Sequence, residues 1–183
     1  MPQALPAFPA GHADHPHAPA SLRERGFTLR PANDADLAFL RTLYRETRSG
    51  ELAAMPWPAE AKLAFLDGQF ELQHRHYVTF YGRSDFLVVE RDRQPVGRVY
   101  LLRQPPDFRI VDIALRESAR GEGVGSALIA HIQQQARAAG CGVALHVDRR
   151  NTAARRLYRR LGFAAAQGDD THLPMNWTAA PLS

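Results

Sequence analysis

Apolar residues recur along this chain with two alternating periods, and the switches between them outline strands and helices. Phe27 to Arg30 alternates as a first strand. Asn33 then stands before Asp34 and Asp36 as a helix N-cap with acids in the first turn, and Leu37, Leu40, Leu43 and Tyr44 form one helical face to about Thr47. Ser49-Gly50 breaks that helix, and Met55-Pro56-Trp57-Pro58 predicts a rigid loop before a second amphipathic helix through Leu63, Phe65, Leu66, Phe70 and Leu72. Asp85 to Arg91 and Val96 to Arg103 read as a hairpin around a polar turn at Asp92-Arg93-Gln94, which Pro95 helps to end. After the loop Gln104-Pro105-Pro106-Asp107, Phe108 to Leu115 predicts a strand, while Val124, Leu128, Ile132 and Ala136 recur at helical spacing. A strand at Val143 to Val147 follows this crossover helix, as parallel pairing requires. A helix from Asn151 to the C-capping Gly162, and strands near Ala164 to Gln167 and His172 to Trp177, complete the order β-α-α-β-β-β-α-β-α-β-β.

Met1 to about Arg25 departs from this pattern. It carries Pro2, Pro6, Pro9, Pro16 and Pro19 with little apolar periodicity, so a flexible, poorly ordered tail is expected ahead of a single domain over residues 26–183. His12, His15 and His17 in that tail have no framework to fix coordination geometry, and no metal site is expected. The chain has 183 residues, 45% of them hydrophobic, which suits one globular domain with a sizeable core. No apolar run approaches the roughly 20 residues that span a bilayer, and the start lacks the basic end and apolar centre of a signal peptide. A cytoplasmic protein without membrane association is expected. Cys141 is the only cysteine, which excludes an intrachain disulfide and a zinc site built from cysteine pairs.

The net charge of +4 invites a nucleic-acid reading. Lys62 is the only lysine, however, and the arginines are spread from Arg23 to Arg160 with no focused patch, so no nucleic acid is expected as a partner. One cluster, Arg149, Arg150, Arg155, Arg156, Arg159 and Arg160, surrounds the Asn151 helix as a solvated face or as a set of phosphate contacts.

The stretch with the most chemical content is Arg120-Gly121-Glu122-Gly123-Val124-Gly125-Ser126, at a strand-to-helix turn. Glycines there let the unpaired N–H groups of the first helical turn point at one phosphate, helped by the helix dipole. A P-loop would need Lys-Ser/Thr after the last glycine, and Ser126-Ala127 stands there instead; Ser126 also breaks a dinucleotide fingerprint.

The spacing Arg120-x-x-Gly123-x-Gly125 resembles the Q/R-x-x-G-x-G/A signature of the GCN5-related N-acetyltransferase superfamily, whose loop holds the pyrophosphate of acetyl-CoA. Leu145-His146-Val147 followed by Asn151-x-x-Ala154-x-x-Leu157-Tyr158-x-x-Leu161-Gly162-Phe163 resembles the other half of the same core. The resemblance spans about Phe27 to Trp177. It implies an α/β (α+β) acyl-CoA N-acyltransferase fold: a mixed central sheet of about seven strands, flanked by about four helices, with a splayed strand pair for CoA. It implies acetyl-CoA as acetyl donor, bound by Ile113, Ala114 and Leu115 on the strand, by Arg120, Gly121, Glu122, Gly123, Val124, Gly125 and Ser126 in the turn, and by Asn151 and Ala154 on the next helix. Asn151 is also a natural N-cap.

By the same resemblance Tyr158 is the general acid near the departing sulfur; its place on the apolar face of Ala154, Leu157 and Leu161 equally suits plain packing. Several relatives carry Glu or His near the position of Arg109, which cannot accept a proton. Asp112 is the only carboxylate within that strand and is the candidate for binding or deprotonating an amine. It is equally suited to be a cross-strand partner, and His146, His76 or a water chain are alternatives. Cys141, with no histidine beside it in sequence, is rejected as a covalent acetyl carrier. Tyr44, Glu46, Glu51, Trp57 and Gln69 are implied at the acceptor end. The function implied is acetyl transfer to a primary amine, on a small molecule or on a peptide or protein, by direct attack in a ternary complex. A homodimer is compatible with the family. The alternative is a non-catalytic CoA-binding sensor or interaction module, against which the retained Tyr158 argues.

Overall fold

In a computed structural model that describes residues 4–179, seven strands form one sheet. β1 (Phe27–Pro31), β2 (Asp85–Arg91), β3 (Gln94–Leu102) and β4 (Asp107–Leu115) pair antiparallel in succession. β5 (Gly142–Asp148) is parallel to β4, and β7 (His172–Trp177) runs antiparallel between β5 and the short β6 (Ala164–Ala165). β6 falls short of the expected Gln167. The Ala166 N–H still donates to Pro174 O at 2.9 Å, but Pro174 has no N–H with which to return the bond. The helices are α1 (Ala20–Arg23), α2 (Leu37–Arg48), α3 (Ala59–Phe80), α4 (Val124–Ala138) and α5 (Thr152–Arg160). The mixed sheet with helices on both faces is the acyl-CoA N-acyltransferase fold, with the one-turn α1 added to the four helices expected.

The core divides by sheet face. Val99, Leu101, Ile110, Val143 and Leu145 pack with Leu128, Ile129 and Ile132 of α4 and Tyr158 of α5. On the opposite face Phe86, Val88 and Tyr100 meet Phe39 of α2 and Tyr77 of α3. Asn33 caps the turn that leads into α2, accepting from the Ala35 N–H at 2.9 Å, while Asp36 accepts from the Asn33 N–H and from both ends of the Arg30 guanidinium at 2.8 Å.

Three expectations are corrected. Residues 4–25, read as a poorly ordered tail, are packed: Phe8 lies edge-on to His74, Phe86 and Tyr100, and Leu22 is buried in the main core. Proline-rich backbone needs few ladder bonds, so isolated apolar anchors suffice to hold it. Next, α3 runs 22 residues, continuing past the expected last apolar position Leu72, which places His76 on this helix. Its buried stripe is Leu66, Phe70 and His74, and the polar His74 counts as core because it donates from Nε2 to Pro6 O at 2.8 Å. Lastly, Gln94 and Pro95 belong to β3, because Asp92 and Arg93, both at positive φ (50° and 67°), alone make the two-residue hairpin turn.

Candidate active site

The site begins where β4 and β5 part. They pair over four residues, from Asp107 with Gly142 to Ile110 with Leu145, and no further. Beyond that point β5 stays with β7, while β4 follows β3 through a bulge at Val111, since Tyr100 pairs with Asp112 but Leu101 with Ile110. A bulge bends and twists its strand, which carries the end of β4 away and opens a wedge in the sheet. The sequence reading expected this splay without naming its cause.

The glycine turn lies at one end of the wedge. Gly121 and Gly123 take φ of +75° and +77°, which explains glycine at both positions, and a Cβ built on either meets nothing within 4 Å among the described residues. The first helix-bonded amide is that of Ala127, to Gly123 O at 3.0 Å, so the N–H groups of Val124, Gly125 and Ser126 lie ahead of the ladder. Free amides facing open space at the start of a 15-residue helix suit a diphosphate. Arg120 is held to the end of β4 by Nε donating to Leu115 O at 2.8 Å. The Glu122 side chain turns away, bonded to Arg25 at 3.0 Å and Arg91 at 3.2 Å, so that only its backbone belongs to the turn. On the other side of the wedge Asn151 caps α5, accepting from the Ala154 N–H at 3.0 Å.

These elements enclose a cleft of about 1560 Å³, larger than the few hundred Å³ that one small ligand fills. Tyr158, Asp112, Ile113, Ala114, Leu115, Asn151 and Ala154 line it, as do the residues of the glycine turn apart from Glu122. Tyr158 is 7% exposed, packs on the Phe163 ring, and has no hydrogen-bond partner for its hydroxyl among the described residues. Burial, with the Asp112 charge adding to it, pushes its phenol up to about 12.

Asp112 is not isolated. Its Oδ2 accepts from Arg98 Nη2 at 2.6 Å and from the Tyr77 hydroxyl at 3.1 Å, and Arg98 Nη2 also donates to Gln73 Oε1 at 2.7 Å. The Arg98 side chain is 5% exposed, and its Nε has no hydrogen-bond partner among the described residues. Burial works against the Arg98 charge, but the Asp112 carboxylate and the Tyr100 and Tyr77 oxygens together outweigh it, and the guanidinium stays charged. Burial, then the same carboxylate, raise the Tyr77 phenol well above its ordinary value. Sequence reasoning missed Arg98, Gln73 and Tyr77. The one available signal was a lone arginine in an otherwise apolar strand, and its partner lies fourteen residues away.

Of the residues implied at the acceptor end, Tyr44, Glu51 and Gln69 line the cleft. Glu46 instead pairs with Arg116 at 2.7 Å, and Trp57 packs edge-on to Phe65 at 5.5 Å. His76 and His146 both line the cleft, and His146 Nδ1 lies 3.1 Å from Arg109 Nη1. Of the arginine cluster, Arg149 and Arg155 are tied to backbone carbonyls and Arg150 to Asp148. Cys141 is buried outside the cleft.

Residues 37–163 match the acetyltransferase (GNAT) family. A mycothiol acetyltransferase of Brachybacterium faecium is 29% identical over 153 residues, covering 76% of this chain and 46% of the relative; the chain thus spans about half of that protein's length. Among solved structures, the PaiA N-acetyltransferase of Thermoplasma acidophilum in complex with coenzyme A superposes with a TM-score of 0.65 at 16% identity, over 84% of this chain and 99% of that one. A Corynebacterium glutamicum structure, described as histone acetyltransferase HPA2 and related acetyltransferase, superposes with a TM-score of 0.60 at 26% identity, over 86% of this chain and 99% of the other. With more than half of its length matched to the family and the same fold around the wedge, the chain belongs to the GNAT family of acetyltransferases.

Proposed function

We propose that this chain is an acetyl-CoA-dependent N-acetyltransferase that moves an acetyl group to a primary amine by direct attack in a ternary complex. The observation that carries this reading is the Tyr158 hydroxyl, on a buried ring that lines the cleft and with no hydrogen-bond partner among the described residues. Family membership supports acetyl-CoA as the donor, and when bound it supplies an activated acetyl carbon. The free N–H groups of Val124, Gly125 and Ser126 hold the diphosphate, and the backbone beyond Val111, released from β5, offers its N–H groups to the pantetheine and the thioester oxygen.

The proton balance fixes the role of Tyr158. The new N–C bond forms as the C–S bond breaks, the nitrogen surrenders one proton, and the sulfur takes one up. A thiol titrates near 8.5, so a phenol pushed up to about 12 would lose a proton to sulfur only uphill, by roughly 3 to 4 pK units. Tyr158 therefore donates to the sulfur while a proton arrives from the attacking nitrogen, and no free phenolate accumulates. Asp112 serves in acceptor binding: Oδ2 is committed to Arg98 and Tyr77, and Oδ1 is left for the amine.

The test is thiol release from acetyl-CoA over a broad panel of amines and peptides, with product masses read afterwards, on the wild type and Tyr158→Phe. Release with acetylated product, lost in the variant, supports the reading. Coenzyme A binding without release from any acceptor would replace it with a sensor.

A further inference from the structure

On the acceptor side of the sheet the arginines differ in one respect. Arg48 is paired with Glu51 at 2.8 Å, Arg98 with Asp112 at 2.6 Å and Arg150 with Asp148 at 2.9 Å. Arg109 lines the same cleft with no carboxylate partner among the described residues, only the His146 ring at 3.1 Å. Arg109 pairs with Leu102 across β3 and with Ala144 across β5, which puts its side chain on the face of Tyr100, under α2 and α3. Tyr158 lies on the opposite face with α4 and α5. An acceptor entering from the α2 and α3 side therefore passes Arg109 on its way to the wedge.

The contact with His146 leaves a defined edge free. Arg109 Nη1 can donate to Nδ1 only when that nitrogen carries no proton, and burial, then the Arg109 and His172 charges, hold the His146 pKa below its ordinary 6.5. Asp169 is the carboxylate acting in the other direction. Its Oδ1 already accepts from the Thr171 N–H and hydroxyl and from the His172 N–H, closing its own turn. With Nη1 engaged, the Nε and Nη2 edge of Arg109 has no partner among the described residues. That edge is the planar fork that matches a carboxylate with two parallel bonds.

We propose that Arg109, oriented by His146, is a specificity-determining residue that binds a carboxylate on the acceptor, so that the preferred substrate is an amine carrying a carboxylate, such as an amino acid or a short peptide. This rests on the N-acetyltransferase reading and names its substrate class.

The experiment compares matched acceptors, free amino acids and short peptides against their carboxamides, with acetyl-CoA as donor. The wild type is expected to favour the acid over its amide by about tenfold or more in kcat/KM, as one charge-assisted pair provides. Arg109→Gln, which can still donate to His146, should bring that ratio close to one, and Arg109→Lys should leave it intermediate, with the thermal midpoints reporting folding. A ratio near one in the wild type, or the same ratio in wild type and Arg109→Gln, overturns the proposal while acetyl transfer itself stands. Amino acids against short peptides then separate the two sources of the carboxylate. Calorimetry on the coenzyme A-loaded protein with N-acetyl amino acids against their amides reads the carboxylate station without turnover. Acid-selective binding lost in Arg109→Gln supports the station even if no thiol is released, an outcome that would overturn only the enzyme reading.

Discussion

Arg98→Met removes one half of the most buried ion pair bordering the cleft, and the structure sets the size of the effect. Breaking such a pair from one side costs about 3–5 kcal/mol, because the remaining charge is left without compensation. Asp112 keeps 15% exposure and the Tyr77 donor, which puts Arg98→Met at the lower end, about 3 kcal/mol. Asp112→Leu leaves a guanidinium at 5% exposure whose Nε already lacks a partner among the described residues, which puts it at the upper end, about 5 kcal/mol. Replacing both residues with apolar ones removes two desolvated charges together, and the double variant should return to within about 1 kcal/mol of the wild type. For a chain of this length each kcal/mol moves the thermal midpoint by roughly 2–4 °C, so the single variants should melt roughly 6–20 °C lower. Urea unfolding of the four proteins, with a shared m value, closes the double-mutant cycle. A coupling energy below about 1 kcal/mol, with the two losses simply adding, would refute the account of Arg98 and Asp112 as a mutually dependent pair.

The other predictions concern the glycine turn, the phenol and the N-terminal segment. Gly123→Asp sets a charged side chain at φ +77° into the space assigned to a diphosphate, and should weaken coenzyme A by about 1–2 kcal/mol or more while the fold survives; unchanged affinity in calorimetry would remove the turn from the site. Tyr158→Phe should lower kcat by about a hundredfold at little cost in stability. With the phenol pushed up to about 12, the wild-type rate should show no alkaline fall assignable to Tyr158 below that pH, so an alkaline limb near 9 that vanished in Tyr158→Phe would contradict the burial argument. Burial lowers the His74 pKa below its ordinary 6.5, so the neutral ring's contribution is fully present above pH 6.5 and is lost as the pH falls through the folded value. Protease cleavage within residues 4–25 should rise on acidification through that range, and His74→Gln should flatten the rise.

Local chemistry was legible in the sequence, and non-local pairing was not. The glycine turn, the Asn151 cap and the bounds of β2 and β7 follow from residues that act on their own neighbours, and each stands where the sequence predicts it. The packing of residues 4–25 depends on Phe8 finding His74, Phe86 and Tyr100, sixty-six residues or more away, and no local pattern encodes that. Arg98 failed for the same reason. Hydropathy treats a buried arginine as a surface residue until its carboxylate is known. The bulge was written in the sequence but unread: core residues on β4 are spaced Phe108, Ile110, then Ile113 and Leu115, a step of three inside a run of twos.

That extra residue has an evolutionary consequence. Because Ile110 already opposes Leu101 and Asp112 already opposes Tyr100, deleting Val111 would leave each flanking side chain on its present face and every named chemical group in the chain. What it would abolish is the bend, letting β4 stay beside β5 past Leu145 and zipping the wedge shut. A lineage could thus lose or regain the cleft through one codon of length with its other cleft-lining residues untouched, so an inventory of those residues alone would not tell an open member of this fold from a closed one.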